Sequence, residues 1–276
     1  MAILGIDYEK CKKCFICITA CARSLFKNKE QDEIVFNDPQ NRCILCGHCI
    51  ARCPENAISY KNMGQSYSYE EVNNSEDIIP YKDLFKFLQI HRSIRRYKKD
   101  NVPIDLLQKV FNAMQYAPTA SNMRSEHFSI LSDKKKIKEL SDAVIIELLK
   151  DPALNDKYGE RFKVLKSEFQ SPIFFDSPHV IFVSSPVDTD LEANNIGIIV
   201  SYGRLVAHAL GLGTCWNAWT QIAMASNLEI RKLAGIDYAK IGVFTIGYPD
   251  VTFYRTAPRS MKQIKGLENL KLRKNI

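Results

Sequence analysis

After Cys53 this 276-residue chain holds a single further cysteine, Cys215. That scarcity excludes a disulfide scaffold running through the whole chain. The sequence also lacks any run of about eighteen apolar residues, so no membrane partner or membrane-spanning segment is expected. The stretch Met1-Ala2-Ile3-Leu4-Gly5 has no basic region ahead of it, and Asp7 soon interrupts its apolar run. It does not read as a secretion signal, and a cytoplasmic location is the expectation. No GxGxxG follows a strand candidate, which argues against a Rossmann domain. No nucleic-acid-binding motif accompanies the net charge of +7, so a nucleic-acid partner is not expected either.

What is present is unevenly placed. Hydrophobic residues make up 46% of the chain and charged residues 25%, the balance of an ordinary globular protein. Residues 1–64 carry nine basic and seven acidic side chains, residues 65–80 four acids and no base, and residues 81–276 a net +9. A basic larger segment suits a phosphorylated cofactor or an acidic protein partner. Eight of the nine cysteines fall between Cys11 and Cys53. In a reducing compartment such density reads as thiolates gripping a metal centre.

The spacing of those cysteines is specific. Cys11, Cys14, Cys17 and Cys21 repeat as Cys43, Cys46, Cys49 and Cys53, each set in the x2, x2, x3 rhythm of bacterial ferredoxins. Three cysteines on one curled loop can address three irons of a cubane, while the fourth, on the helix that follows, points toward the other cluster. The spacing therefore predicts crossed ligation. Cys11, Cys14, Cys17 and Cys53 would hold one [4Fe–4S] cluster, and Cys43, Cys46, Cys49 and Cys21 the other. Structural zinc would instead need paired knuckles set well apart. Residues 1–64 are similar to a two-cluster bacterial ferredoxin. Ala22 stands where such proteins usually have proline, and Pro54 keeps that place in the second half. His48, between Cys46 and Cys49, reads as a neighbour rather than a ligand. Strands are expected at Ile3–Ile6 and Ile34–Phe36, with Ala57–Tyr60 closing an internal repeat of about thirty residues.

Residues 65–80 are polar, acidic and without helical periodicity, and are expected to be a linker. From Tyr81 onward helices and strands mix without a regular βαβ rhythm. Leu107, Val110, Phe111 and Met114 mark an amphipathic helix over Ile104–Tyr116. Further helices are expected at Lys134–Lys150, Tyr158–Phe169 and Leu191–Leu210, and strands at His127–Leu131, Val180–Ser184 and Ile241–Ile246. The long helix is expected in core or dimer packing, and Lys134–Lys136 as a solvated helix start. The fold class is α+β: a ferredoxin-like module over 1–64, the linker, then a domain over 81–276 with helices around a central mixed sheet.

Two stretches of this larger domain carry site chemistry. His91-Arg92-Ser93-Ile94-Arg95-Arg96-Tyr97 offers guanidinium forks and a hydroxyl that suit a terminal phosphate, or simply a solvated basic helix end. Ala117-Pro118-Thr119-Ala120-Ser121-Asn122-Met123-Arg124 is a small-residue loop able to approach a flat ring, or simply a turn. Together with Leu210–Trp216, Ile246-Gly247-Tyr248-Pro249 and Arg255 to Arg259, this ordered set over roughly 81–265 resembles the nitroreductase family, in the subgroup fused to ferredoxin modules.

The resemblance implies FMN bound at a homodimer interface. It implies Arg92, Ser93, Arg95 and Arg259 at the phosphate, with Arg255 nearby and either His91 or Arg92 as the first contact. Asn122 and Arg124 would touch flavin or ribityl, with Pro118, Thr119 and Ser121 in the same loop. A turn made of Gly213, Thr214, Cys215 and Trp216 would lie near the ring. Cys215 alone reads either as a small buried hydrophobe or as a flavin neighbour. Where many members have Asn-x-Gln-Pro-Trp, this chain has Asn122-Met123-Arg124-Ser125-Glu126, so its pocket wall is its own.

The expected function is an oxidoreductase passing electrons between two [4Fe–4S] clusters and FMN to reduce a small organic acceptor, nitroaromatic or quinone. A ferredoxin or another electron-transfer protein is the expected protein partner. The reverse flow, from NAD(P)H as cosubstrate through the clusters to a protein partner, is an alternative. A non-catalytic redox sensor is a third, although nothing in the chain looks like an output domain.

Overall fold

The computed structural model of the chain describes residues 3–68, 74–238 and 240–266. In the N-terminal part, β1 (Ile3–Ile6) pairs antiparallel with β4 (Ile58–Tyr60), and β2 (Phe26–Asn28) with β3 (Ile34–Phe36). Two short helices, α1 (Ile16–Ala20) and α2 (His48–Ala51), follow the two cysteine loops. Ile3, Phe26, Ile34, Ile50 and Ile58 form a small core with Cys17 and Cys49. The strands at 3–6 and 34–36 lie where the sequence pattern puts them. β2 was not expected, because only Phe26 of its three residues is buried and no alternation is left to read.

Left-handed residues shape the cysteine loops. Lys13 (φ 51°) and Phe15 (φ 59°) flank Cys14, and Leu45 (φ 54°) and Gly47 (φ 72°) flank Cys46. Positive φ on both sides of the middle cysteine curls each loop so that three sulfurs face inward. Ser24 (φ 53°) and Asn56 (φ 50°) repeat the correspondence after the fourth cysteine of each set.

The segment expected to be a linker without helical periodicity holds, among its described residues, the short helix α3 (Ser75–Ile78), whose Glu76 and Asp77 sit favourably in its first turn. Residues 69–73 of that segment lie outside the described residues, as do residues 267–276 of the larger domain. Next, α4 (Tyr81–Ile90) buries none of its residues and exposes Tyr81, Leu84, Phe85 and Leu88 along one stripe.

The larger domain is α+β. Its sheet has the order β5 (His127–Leu131), β6 (His179–Ser185), β8 (Lys240–Gly247), β7 (Gly213–Trp216), with every named pairing antiparallel. The parallel component is a single bridge between Ser93 and Thr214. β6 is central and buried throughout, and its side chains alternate between two cores. Ile181 and Val183 face α5 (Ile104–Met114) and α8 (Asp190–Ala209), meeting Val110, Met114, Ile196 and Val200. Val180 and Phe182 face α6 (Lys134–Leu148), α7 (Pro152–Glu168), α9 (Ala218–Ser226) and α10 (Leu228–Leu233).

α7 starts six residues earlier than expected, because Asp151 caps it and Pro152 fills its first turn. Gly213–Trp216 is a strand and not the expected turn. Its backbone completes the sheet edge against β8 from Gly247 to Phe244, and four residues are too few to display a period.

The close approach of α8 to β8 and to α5 rests on one glycine for each. A Cβ on Gly242 would stand 2.6 Å from Ile196 Cγ2 and 2.8 Å from Val200 Cγ2, both on stiff β-branched side chains. A Cβ on Gly203 would meet flexible Met114 at 2.7 Å instead. Gly242→Ala is expected to destabilise the fold by roughly 1–3 kcal/mol, and Gly203→Ala by less. Urea midpoints of the two variants check the order, and equal or reversed costs would contradict this packing.

Candidate functional site

The cysteines gather in two groups across the repeat. Cys21, Cys43, Cys46 and Cys49 line one small cavity with Leu25, Phe26 and Phe36. Cys11, Cys14, Cys17 and Cys53 line a second with Ile6, Ile16 and Ile34. The fourth cysteine of each sequence motif thus stands with the first three of the other. Leu25 N–H donates to Cys21 Sγ at 3.4 Å and Ala57 N–H to Cys53 Sγ at 3.2 Å, the same contact in each half. Such bonds stabilise sulfur in its anionic form.

Among the described residues, no three His, Cys, Asp or Glu side chains converge closely enough for a single ion. Apolar side chains surround the sulfurs in both cavities. Burial pushes the Cys17 thiol up, and it pushes the Cys49 thiol up to about 11, with Cys46, Cys21 and Cys43 adding to the rise. Metal binding must therefore displace protons from these sulfurs. Asp38, buried in the loop ahead of the second set, accepts from Arg42 N–H at 2.7 Å and Cys43 N–H at 2.9 Å. Sequence reading missed it, since a lone aspartate before an Asn-Arg pair gives no pattern.

In the larger domain, residues 93–98 run along the ends of β7 and β8. Ile94 N–H donates to Thr214 O at 2.9 Å, Lys98 N–H to Tyr248 O at 2.9 Å, and Asp250 N–H to Arg96 O at 2.9 Å. The Tyr97 hydroxyl donates to Ile94 O at 2.8 Å and lies 2.7 Å from Thr245 Oγ1. Burial pushes that phenol far up, so it stays protonated. Ser93 is thereby fixed beside Thr214. From α8, Arg204 reaches both hydroxyls: its Nε donates to Thr214 Oγ1 at 3.3 Å and its Nη2 to Ser93 Oγ at 3.5 Å.

Around this pair the local charge is positive. Cys215 is buried beneath Arg95 and Arg204; burial raises its thiol while the two guanidiniums pull it down. Arg92 lies over the Phe253 ring at 5.9 Å, and Arg95 over Phe175 at 5.9 Å. The His91 ring is tilted against His208 at 5.3 Å, and both Nε2 atoms are buried without a hydrogen-bond partner. Burial, then Arg204 and His208, bring His91 down to about 4, so it is neutral near pH 7. Clustered guanidiniums, two hydroxyls and an orphaned ring nitrogen form a cradle that fits a phosphate monoester.

Arg204 and His208 were not expected from the sequence. Their signal is two basic side chains four residues apart on one face of the C-terminal half of α8, and it means little until that face is known to look at Ser93. Trp216 Nε1 donates to Gln221, which holds the indole at the sheet edge. Arg255 and Arg259 are exposed in an irregular segment after β8. Among the described residues no hydrogen bond or ion pair joins them to 91–95. Phe253 of that segment lies against Arg92, while Arg255 and Arg259 themselves stay exposed.

The loop at 117–124 lies elsewhere on the domain, facing the second cysteine group. Pro118, Asn122 and Arg124 line a cleft whose opposite wall is Leu45, Cys46, Gly47 and Ile50. Ser121 (φ 51°), Asn122 (φ 52°) and Arg124 (φ 47°) are all left-handed, a concentration of costly backbone that marks a shaped turn. Thr119 Oγ1 accepts from Arg124 N–H at 3.2 Å, and Arg124 Nη2 donates to Gln115 O at 3.3 Å. From α8 behind, Asn195 Oδ1 accepts from Ala120 N–H at 2.9 Å. Glu192, 1% exposed, accepts from Asn195 Nδ2 and Ser125 Oγ, each at 2.8 Å.

Residues 88–248 match the model of the nitroreductase family, and residues 10–58 match that of the 4Fe-4S dicluster domain. A Methanothermobacter thermautotrophicus protein, provisionally named NADH dehydrogenase/NAD(P)H nitroreductase, is 26% identical over 176 residues, covering 60% of this chain and 78% of its own length. A ferredoxin of Methanothermococcus thermolithotrophicus is 34% identical over 58 residues, 20% of this chain and 93% of that protein. The structure of a Bacteroides fragilis nitroreductase with bound FMN superimposes with a TM-score of 0.54 at 20% identity, covering 66% of this chain and 98% of that one. None of the helices among the described residues is long and apolar enough to cross a membrane. The chain belongs to the nitroreductase family, with a ferredoxin-type 4Fe–4S dicluster module ahead of the family domain.

Proposed function

We propose that the protein is an FMN-dependent oxidoreductase that couples two [4Fe–4S] clusters to the flavin and reduces a small organic acceptor of nitroaromatic or quinone type. The observation that carries this reading is the placement of the 117–124 turn of a nitroreductase-family domain directly against the Cys21, Cys43, Cys46 and Cys49 cavity. Flavin exchanges electrons singly or in pairs, whereas clusters pass one at a time, so together they join one-electron supply to two-electron chemistry.

In this reading Cys11, Cys14, Cys17 and Cys53 hold one cluster, and Cys21, Cys43, Cys46 and Cys49 the other. Arg92, Ser93, Arg95 and Arg204 bind the FMN phosphate, with Thr214 orienting Arg204 and His91 completing the cradle. Pro118, Thr119, Ser121 and Arg124 shape the wall on the module side, and Gly213, Thr214, Cys215 and Trp216 the wall on the sheet side. The protein works as a homodimer in the cytoplasm, where Arg255 and Arg259 reach the partner's pocket on the extended C-terminal segment. The exposed stripe of α4 and the apolar side chains of that segment, such as Phe253 and Tyr254, give the dimer something to bury. Electrons enter the N-terminal module from a ferredoxin or similar protein and leave to the acceptor.

A second reading has NAD(P)H as the donor and a protein partner as the recipient. It is favoured by the name of the M. thermautotrophicus relative. Stopped-flow bleaching of the flavin by NADH or NADPH ahead of the iron signal would select it.

Anaerobic purification is expected to give about eight irons and one FMN per chain, from two four-iron clusters. Two tightly held zincs and no flavin would reject the reading. Cys21→Ser is expected to perturb the cluster of Cys43, Cys46 and Cys49 and spare that of Cys11, Cys14 and Cys17, read by paramagnetic resonance of the reduced protein. Arg204→Met is expected to weaken FMN by roughly 10- to 100-fold, about 1.5–3 kcal/mol for a lost charge-assisted bond. Unchanged affinity in a flavin titration of the apoprotein would remove Arg204 from the cradle.

A further inference from the structure

The resemblance implies that Asn122 contacts flavin or ribityl, and one of its two amide hydrogens is already donated elsewhere. Asn122 Nδ2 donates to Ile44 O at 2.8 Å, across 78 positions of sequence. Ile44 follows Cys43, and Leu45 and Cys46 come next, so the accepting carbonyl sits inside the curled loop that presents the second cysteine group. Asn122 is itself left-handed, a conformation asparagine tolerates better than most residues, and this turns its amide outward from the domain.

The turn that offers this amide is held from behind. Ala120 is bonded to Asn195, Asn195 and Ser125 to Glu192, and Ser185 Oγ to Ser125 Oγ at 3.3 Å. Glu192 and Asn195 are buried on the first turns of α8, and Ser185 is buried at the end of β6. A continuous set of hydrogen bonds therefore runs from the domain core through the 119–125 turn to the backbone between Cys43 and Cys46. Both cysteine cavities are lined by the small module alone, but Cys46 also lines the cleft shared with Pro118, Asn122 and Arg124, and none of Cys11, Cys14, Cys17 and Cys53 does. The two cysteine groups are thus unequal: one reaches the cleft against the larger domain and the other does not.

We propose that Asn122 is a positioning residue, a latch whose bond to Ile44 O seats the second cysteine loop on the nitroreductase-family domain and makes that group the inner one. It rests on the reading above only for what the cysteines hold; the latch itself is a property of the polypeptide. The latch fixes the backbone that carries Cys43 and Cys46, and the hydrogen bonds and surroundings of the sulfurs are determinants of cluster potential.

The test uses the full-length, anaerobically purified protein and two variants, Asn122→Leu, which removes the donor at similar size, and Asn122→Asp, which sets a carboxylate against the Ile44 carbonyl. Amide hydrogen exchange over residues 43–50 is expected to rise about tenfold in both, as expected for loss of one hydrogen bond at a local opening, while residues 11–17 are unchanged. In a redox titration, one of the two iron–sulfur midpoints should shift and the other stay. Unchanged exchange over 43–50 overturns the latch, as does loss of flavin with that exchange unaltered, which would return Asn122 to the flavin. If Asn122→Leu fails to fold, the aspartate variant carries the comparison. Wild-type protein without iron or flavin would sink the functional reading, and exchange over 43–50 would still decide the latch.

Discussion

Glu192 is a carboxylate with 1% exposure, placed between an apolar core and a turn of the larger domain that faces the second cysteine loop. Burying it without partners would be costly, so both oxygens are spoken for, by Ser125 and Asn195. Those partners hold a turn whose backbone is unfavourable at three positions. The bonds to α8 over-determine the conformation, and the turn can then hold Asn122 out toward the second cysteine loop. Glu192 lies in the first turn of a helix whose later residue Arg204 bonds Thr214 and Ser93, so α8 supports both the basic cradle and the turn that meets the module.

The N-terminal module faces a different constraint. Some sixty residues bury little apolar surface, and domains of this size commonly rely on metals or cross-links. Its core is seven residues, two of them cysteines. Burial makes the thiols of Cys17 and Cys49 resist ionisation, and in the proposed reading a cluster would replace their protons and couple its assembly to folding. The crossed grouping strengthens this coupling, since each set of four draws residues from both halves of the repeat.

The sequence was most legible where chemistry demands fixed spacing. The cysteine rhythm carried the crossed grouping seen around the two cavities, because sulfur positions on a curled loop leave few alternatives. The apolar period gave α5, α6, α8, β5, β6 and β8 to within a few residues. It failed for β2 and β7, which are too short to show alternation, and for α9 and α10, which merge into one mixed stretch. The cradle was half legible. Arg92, Ser93 and Arg95 share one motif, but Arg204 arrives from α8 by tertiary packing. Asn122 was visible as a polar residue in a small-residue loop. Its partner, a backbone carbonyl 78 residues away, leaves no mark in sequence.

What these features describe together is a one-electron module seated against a flavin-type domain, and the seat has value only if charge crosses it. The most direct measurement is rapid mixing of the holoprotein with a low-potential one-electron donor, following iron and flavin absorbance separately. Reduction of the iron centres followed by flavin bleaching at least as fast as turnover is the predicted result. Reduced iron centres that leave the flavin oxidised through many turnovers would contradict the account.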